Sequence, residues 1–173
     1  MLKDSSTAVT LRPIHENDGD FLLALYASTR WDELAQTPWT ETEKRRFLRN
    51  QFSLQQQHYQ AHYPEALRNI IYRKQRDIGR IDWIMLDTEL LLIDIALLPA
   101  YRKQGVGSSL LRDLQQRAIQ SRKPVTLSVT YFNPAIALYQ RLGFRKITES
   151  GVHWQMQWTS PIQAQQVVEP TVS

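Results

Sequence analysis

The strongest constraint on this chain lies where an apolar run gives way to a basic, glycine-bearing segment. Leu90 to Leu98 is broken only by Asp94, and Tyr101-Arg-Lys-Gln-Gly105-Val-Gly107-Ser-Ser-Leu-Leu111 follows within three residues. The first stretch reads as a buried strand and the second as the start of a helix. Gly105 and Gly107 remove side chains that would hold a ligand away from the backbone, and the N–H groups of a first helical turn have no partner inside the helix. Such a junction is built to hold an anion, phosphate above all. Arg102 and Lys103 add positive charge that suits a polyphosphate better than a carboxylate metabolite.

Spacing narrows the choice of ligand. A P-loop needs a lysine after its last glycine, and none follows Gly107; a Rossmann fingerprint needs a third glycine where Leu110 stands. The pattern present is Arg102-x-x-Gly105-x-Gly107, and a second block, Asn133-Pro-Ala-Ile-Ala-Leu-Tyr139-Gln-Arg-Leu-Gly143-Phe144, follows it. Together they resemble the signature of the GNAT superfamily, the acyl-CoA-dependent N-acetyltransferases, most closely from about Leu90 to Phe144. One departure is visible: the usual asparagine lies seven residues before the tyrosine, whereas Asn133 lies six before Tyr139 and Phe132 holds the expected place.

The resemblance implies an α/β fold: a mixed, mostly antiparallel seven-stranded sheet with a splay between strands 4 and 5 and helices on both faces. It implies acetyl-CoA as co-substrate, with no metal. The pyrophosphate would lie on Arg102, Lys103, Gln104, Gly105, Val106, Gly107 and Ser108, the pantetheine amides on backbone groups of Ile95, Ala96 and Leu97, and Asn133 would add a cofactor contact. The implied reaction is acetyl transfer to a primary amine of a small molecule or peptide by direct attack on the thioester. The alternative from another class is a non-catalytic acyl-CoA-binding or protein-interaction module that kept the fold.

The remaining sequence orders itself around these blocks. Val9 to Arg12 reads as a strand and Asp18 to Ser28 as a helix, with Phe21, Leu22 and Leu25 at helical spacing. Thr40 with Glu43 forms a capping box that opens a long helix reaching about His62, before Pro64. Three strands follow at about Asn69 to Lys74, Ile78 to Leu86 and Leu90 to Leu97, with turns at Arg76-Asp77 and Asp87-Thr88. Gly105 to Gln120 is an amphipathic helix and Val125 to Val129 a strand. Asn133 and Pro134 suit the N-cap and first position of a short helix that Gly143 ends, and a hairpin around Gly151 closes the sheet. Residues 1–159 read as one domain and 160–173 as a loosely ordered tail.

Acyl transfer to an amine needs a neutral amine, a stabilised oxyanion and a proton for the departing thiolate. Tyr139 matches the superfamily tyrosine near the sulfur, and a phenol can protonate a thiolate; its other reading is a ring packed on Leu138 and Leu142. Asp94 is the most suggestive base, because a charge interrupts an apolar strand there; its other reading is a structural carboxylate bonded to backbone or to a basic partner. Asp82 and Glu89 are weaker alternatives. Arg30, Trp31, Glu33 and Trp39 fall between the first two helices, where this fold shapes its acceptor pocket. Arg30, Glu33 and Trp39 are therefore the expected substrate-binding residues, or else a surface loop pinned by two tryptophans. His58 and His62 have the spacing of a helical metal pair, but Tyr59 replaces the glutamate of the His-Glu-x-x-His motif and no third ligand is apparent.

Composition sets the outer limits. With no cysteine, thiol nucleophiles, disulfides and thiolate metal sites are excluded. The balance of 21 Lys and Arg against 17 Asp and Glu, net +4, is mild and scattered, so no nucleic-acid partner is expected. The polar N-terminus and the lack of a membrane-length apolar run point to a cytoplasmic protein without a membrane partner, a monomer or homodimer.

Overall fold

The computed structural model describes residues 8–161; most of the expected tail, 162–173, lies outside the described residues. The strands are β1 (Thr10–Pro13), β2 (Leu67–Arg73), β3 (Arg76–Met85), β4 (Leu90–Leu97), β5 (Val125–Thr130), β6 (Arg145–Ser150) and β7 (His153–Trp158). The helices are α1 (Gly19–Ala35), α2 (Glu41–His62), α3 (Val106–Ser121) and α4 (Ile136–Arg141). They flank one seven-stranded sheet of order β1-β2-β3-β4-β5-β7-β6. The sheet is mixed: β4 and β5 run parallel, and β1–β2, β2–β3, β5–β7 and β6–β7 pair antiparallel. The parallel pairing joins Leu90, Leu91 and Leu92 to Val125, Thr126 and Leu127 and stops there, although β4 extends to Leu97; this is the expected splay.

The chain divides into two compact units, one drawn from residues 8–83 and 94–106, the other from 84–93 and 107–161. In the first, Leu22, Leu25, Leu48, Ile70, Ile71, Ile78 and Ile81 are buried. In the second, Leu110, Leu111, Leu114 and Ala118 of α3 are buried, as are Val125, Leu127, Phe144 and Met156. Ser160, expected to open the tail, is 1% exposed.

The long helix begins as the sequence indicates: the Thr40 hydroxyl accepts from the Glu43 N–H at 3.3 Å, and the Glu43 carboxylate accepts from the Thr40 N–H at 2.7 Å. The short helix ends in a Schellman turn, with Gly143 at φ +89° and the Phe144 N–H bonded to the Tyr139 carbonyl at 3.0 Å.

Two boundaries differ from expectation. The first helix does not stop at Ser28 but continues to Ala35. The Ser28 and Thr29 hydroxyls donate to the Leu25 and Tyr26 carbonyls, each at 2.7 Å, so residues that suggest a boundary are satisfied inside the helix. The turn between β2 and β3 falls at Lys74-Gln75, not at Arg76-Asp77. Both turn residues are left-handed, φ +47° and +62°, and no glycine marks them.

Candidate functional site

The loop expected to hold an anion turns sharply into α3. Between the 3₁₀ turn Pro99–Tyr101 and α3, Lys103 (φ +58°) and Gly105 (φ +82°) both adopt left-handed backbone, which turns the chain into the helix. Gly107 stands in the first turn of α3, where an added Cβ would reach ordinary contact distance, 3.4 Å, from Leu138 Cδ2. Val106 is fully buried.

The loop's polar side chains hold the loop itself. Arg102 Nε donates to the Leu97 carbonyl at 2.8 Å, and its guanidinium also reaches the Ser28 hydroxyl at 3.4 Å. Gln104 donates to the Ala100 carbonyl at 2.7 Å and accepts from Arg73 at 3.0 Å. Arg102 and Gln104 therefore fix the shape of the loop with their side chains.

The backbone of β4 is irregular beside this loop. A Cβ at Gly79 of β3 would collide with the Ala96 carbonyl oxygen and approach Leu97 Cδ2 at 2.9 Å, so only glycine admits the close approach of the two strands. The Leu98 N–H returns to the Ile78 carbonyl at 2.8 Å. The Ile95 N–H acts to lower the Asp94 carboxyl, and the Leu97 carbonyl is taken by Arg102. Gly79 was not singled out by the motifs, yet a lone glycine inside a strand pattern is the signal that marks such an approach.

Asp94 lies in a charged cluster. Arg80 and Asp82 of β3 form a buried ion pair, 3% and 1% exposed, and Arg80 Nε is also 3.7 Å from Asp94 Oδ2. Burial pushes the Asp94 carboxyl up to about 6, with Arg80 pulling against that and Asp82 adding to it. Tyr26 of α1 and Tyr59 of α2 feel the Asp94 charge, and burial raises both phenols, so they stay neutral. Tyr26 packs on Phe52 at 5.6 Å between ring centroids. Sequence spacing gave no sign that Arg80, Tyr26 and Tyr59 meet Asp94; only the β3–β4 pairing and the α1–α2 packing bring them together. Of the alternative carboxylates, Asp82 is consumed by Arg80, and Glu89 accepts from the Thr126 hydroxyl at 2.7 Å.

Tyr139 belongs to the other unit. It is 6% exposed, and its ring meets Phe144 edge-on at 5.8 Å. Gln115 of α3 donates to the Leu142 carbonyl at 2.8 Å, which fastens the end of α4 and so the tyrosine on it. Asn133 accepts from the Ala135 N–H at 2.9 Å, a cap-like bond, but the helix proper starts at Ile136.

The expected substrate-binding set divides. Arg30 and Glu33 lie on α1 rather than in a connecting loop, because α1 runs to Ala35. They pair with each other at 2.8 Å, and Arg30 also donates to the Tyr26 hydroxyl at 3.0 Å, which places them beside a neighbour of Asp94. Trp39 packs instead on Phe47 at 5.1 Å, lining a separate cavity of about 310 Å³ with Glu43, Arg46 and Asn50. Trp31 lines a groove of about 450 Å³ between α1 and α2. The rings of His58 and His62 stack at 4.0 Å, and His62 Nδ1 bonds the His58 carbonyl at 2.9 Å. Among the described residues no helix is long and apolar enough to cross a membrane, and no group of three potential metal ligands assembles.

Residues 66–146 match the family model of the acetyltransferase (GNAT) domain. The fold just described is the GNAT fold. Among solved structures it is similar to the PaiA N-acetyltransferase of Thermoplasma acidophilum in complex with coenzyme A, at 17% identity over 88% of this chain and 99% of that one, TM-score 0.66. It is also similar to spermidine N-acetyltransferase of Vibrio cholerae with CoA and spermine (18% identity, 87% and 94% covered, TM-score 0.57). The ribosomal-protein-S18-alanine N-acetyltransferase of Escherichia coli is a third (20%, 87% and 91% covered, TM-score 0.56). No curated protein sequence matches the chain.

Proposed function

We propose that this protein is an N-acetyltransferase that transfers the acetyl group of acetyl-CoA to a primary amine. The observation that carries the reading is the left-handed glycine loop at the start of α3 in a chain with the GNAT fold. Gly105 to Ser108 would hold the pyrophosphate through backbone N–H groups, with Arg102, Lys103 and Gln104 shaping the approach. Ile95, Ala96 and Leu97 would offer backbone groups to the pantetheine; a carbonyl that already accepts one bond keeps a second lone pair. Asn133 would contribute through its free amide N–H groups. The acyl-CoA supplies an activated thioester.

The protein's own groups supply the proton chemistry. Asp94 receives a proton from the incoming ammonium, directly or through water. A carboxyl raised to about 6 is still mainly ionised at neutral pH and is a better base than an ordinary aspartate. Tyr139 holds on Oη the proton that the departing thiolate needs. Tyr26, Tyr59, Arg30 and Glu33 border the acceptor side. Two structural relatives are a spermidine N-acetyltransferase and a ribosomal-protein-S18-alanine N-acetyltransferase, and a cationic acceptor suits the Asp94 carboxylate. The protein is read as one domain over 1–159, cytoplasmic, acting on a small-molecule or peptide amine as a monomer or homodimer.

A turnover screen tests this reading: acetyl-CoA with spermidine, lysine-bearing peptides, alanine-terminated peptides and amino sugars, read by thiol release. At least one class should give turnover that saturates in both substrates and falls in Asp94→Asn. Saturable acetyl-CoA binding with no turnover on any amine would favour the non-catalytic module instead.

A further inference from the structure

Asp94 is the open end of a row of alternating charge that crosses three strands. Arg68 on β2 stands opposite Asp82 in the β2–β3 register, Arg80 lies two residues from Asp82 on the same face of β3, and Asp94 follows on β4. Arg80 is the most constrained member. Its terminal nitrogen bonds Asp82 Oδ2 and donates to Gln56 Oε1 of α2 at 3.4 Å, and its Nε lies 3.4 Å from Asp82 Oδ1 and 3.7 Å from Asp94 Oδ2. A guanidinium is a rigid planar fork, so fastening one edge to Asp82 and Gln56 fixes where the rest of the group points. Asp82 already suffices to balance the Arg80 charge, and a buried pair of that kind is a poor device for stability. The second carboxylate, with 23% of its side chain exposed, gives the pair a use.

We propose that Arg80 is the positioning residue of the acceptor site, clamped by Asp82 and Gln56 so that its guanidinium charge stays beside the Asp94 carboxylate, orients it and sets the charge this carboxylate presents to an incoming ammonium. The inference rests on the reading of Asp94 as the base. The groups that act on Asp94 are Arg80 and Asp82 from β3, Tyr59 from α2 and Tyr26 from α1. Both tyrosines are neutral, so the Asp94 charge is decided by Arg80 pulling its protonation down against burial and Asp82 pushing it up. Removing either neighbour must therefore move Asp94 in opposite directions, which loss of packing alone does not do.

The test is a carbon-13 NMR titration of the Asp94 carboxyl in the full chain, assigned by its loss in Asp94→Asn. Arg80→Gln should raise the midpoint by about one unit or more, the usual effect of an opposite charge at this range. Asp82→Asn should lower it. The acid limb of turnover, measured with whichever screened amine is a substrate, should follow both shifts. Should Arg80→Gln not fold, Asp82→Asn and Arg80→Lys decide: lysine keeps the charge without the planar fork that Asp82 and Gln56 fasten, so the midpoint stays near wild type while turnover falls at least tenfold. A midpoint that stays put in folded Asp82→Asn, or moves the same way in both variants, overturns the Arg80 inference alone. Full turnover in Asp94→Asn sinks the base assignment itself, whatever the titrations show.

Discussion

Tyr139→Phe removes one hydroxyl and keeps the ring that meets Phe144 at 5.8 Å. Turnover at saturating substrates should fall about 10²- to 10⁴-fold while acetyl-CoA affinity holds, since a general acid contributes in that range. A loss below about threefold, well under 1 kcal/mol, would leave the hydroxyl without a role in the reaction. Asp18 supports a second residue-level prediction. Its carboxylate takes two bonds from Arg12, at 2.8 and 2.9 Å, and the guanidinium holds it at about 2, below its ordinary value of 3.8. A depressed carboxyl stabilises the fold above its unfolded value, and that contribution is lost as pH falls from about 4 to about 2. Thermal melts should therefore show Asp18→Asn less stable than wild type at pH 7, with the gap closing toward pH 2.5. The visibility of residues in the sequence followed their surroundings. Tyr139 was legible from its block and Asp94 from being a charge in an apolar run. Arg80, Tyr26 and Tyr59 were not, because each sits in an unremarkable local sequence and gains meaning only where separate elements converge.

At the level of elements, capping chemistry was readable and turn chemistry without glycine was not. The Thr40–Glu43 box fixed the start of α2 from two residues, and Thr40→Ala should cost about 1 kcal/mol in denaturant unfolding. The β2–β3 turn was misplaced by two residues because Lys74 and Gln75 adopt left-handed backbone without the Asn-Gly pair that usually announces it. Replacing them by Asn-Gly should relieve that conformation and raise stability by about 1–2 kcal/mol, measured by urea unfolding; an unchanged midpoint would mean the turn is not strained. The extension of α1 to Ala35 escaped the sequence for a related reason. Ser28 and Thr29 are residues that often end helices, and only their bonds back to Leu25 and Tyr26 reveal that here they do not. That extension moves Arg30 and Glu33 onto a rigid helix, so Glu33→Gln should raise the acceptor's Michaelis constant and leave acetyl-CoA affinity unchanged.

At the scale of the whole molecule, the strand-to-helix junction and the Asn133–Phe144 block were enough to indicate the mixed sheet, its parallel β4–β5 pair and the splay between them, since these local patterns occur together in one known fold. The irregular approach of β4 to Gly79 and the charge row behind Asp94 were not legible, because both depend on strand register, which no short motif encodes. The proposed acetyl transfer depends on the loop from Arg102 to Ser108 holding acetyl-CoA. Gly107→Glu probes it cleanly: the added Cβ meets Leu138 only at 3.4 Å, and an acidic side chain suits a helix N-terminus, so the fold should persist while the carboxylate competes with phosphate. Calorimetric titration of acetyl-CoA into the wild-type chain and into folded Gly107→Glu is the most direct test. One saturable site is expected in the wild type and none in the variant; no binding to the wild type, or equal affinity in both, would remove the assignment of this loop to acetyl-CoA.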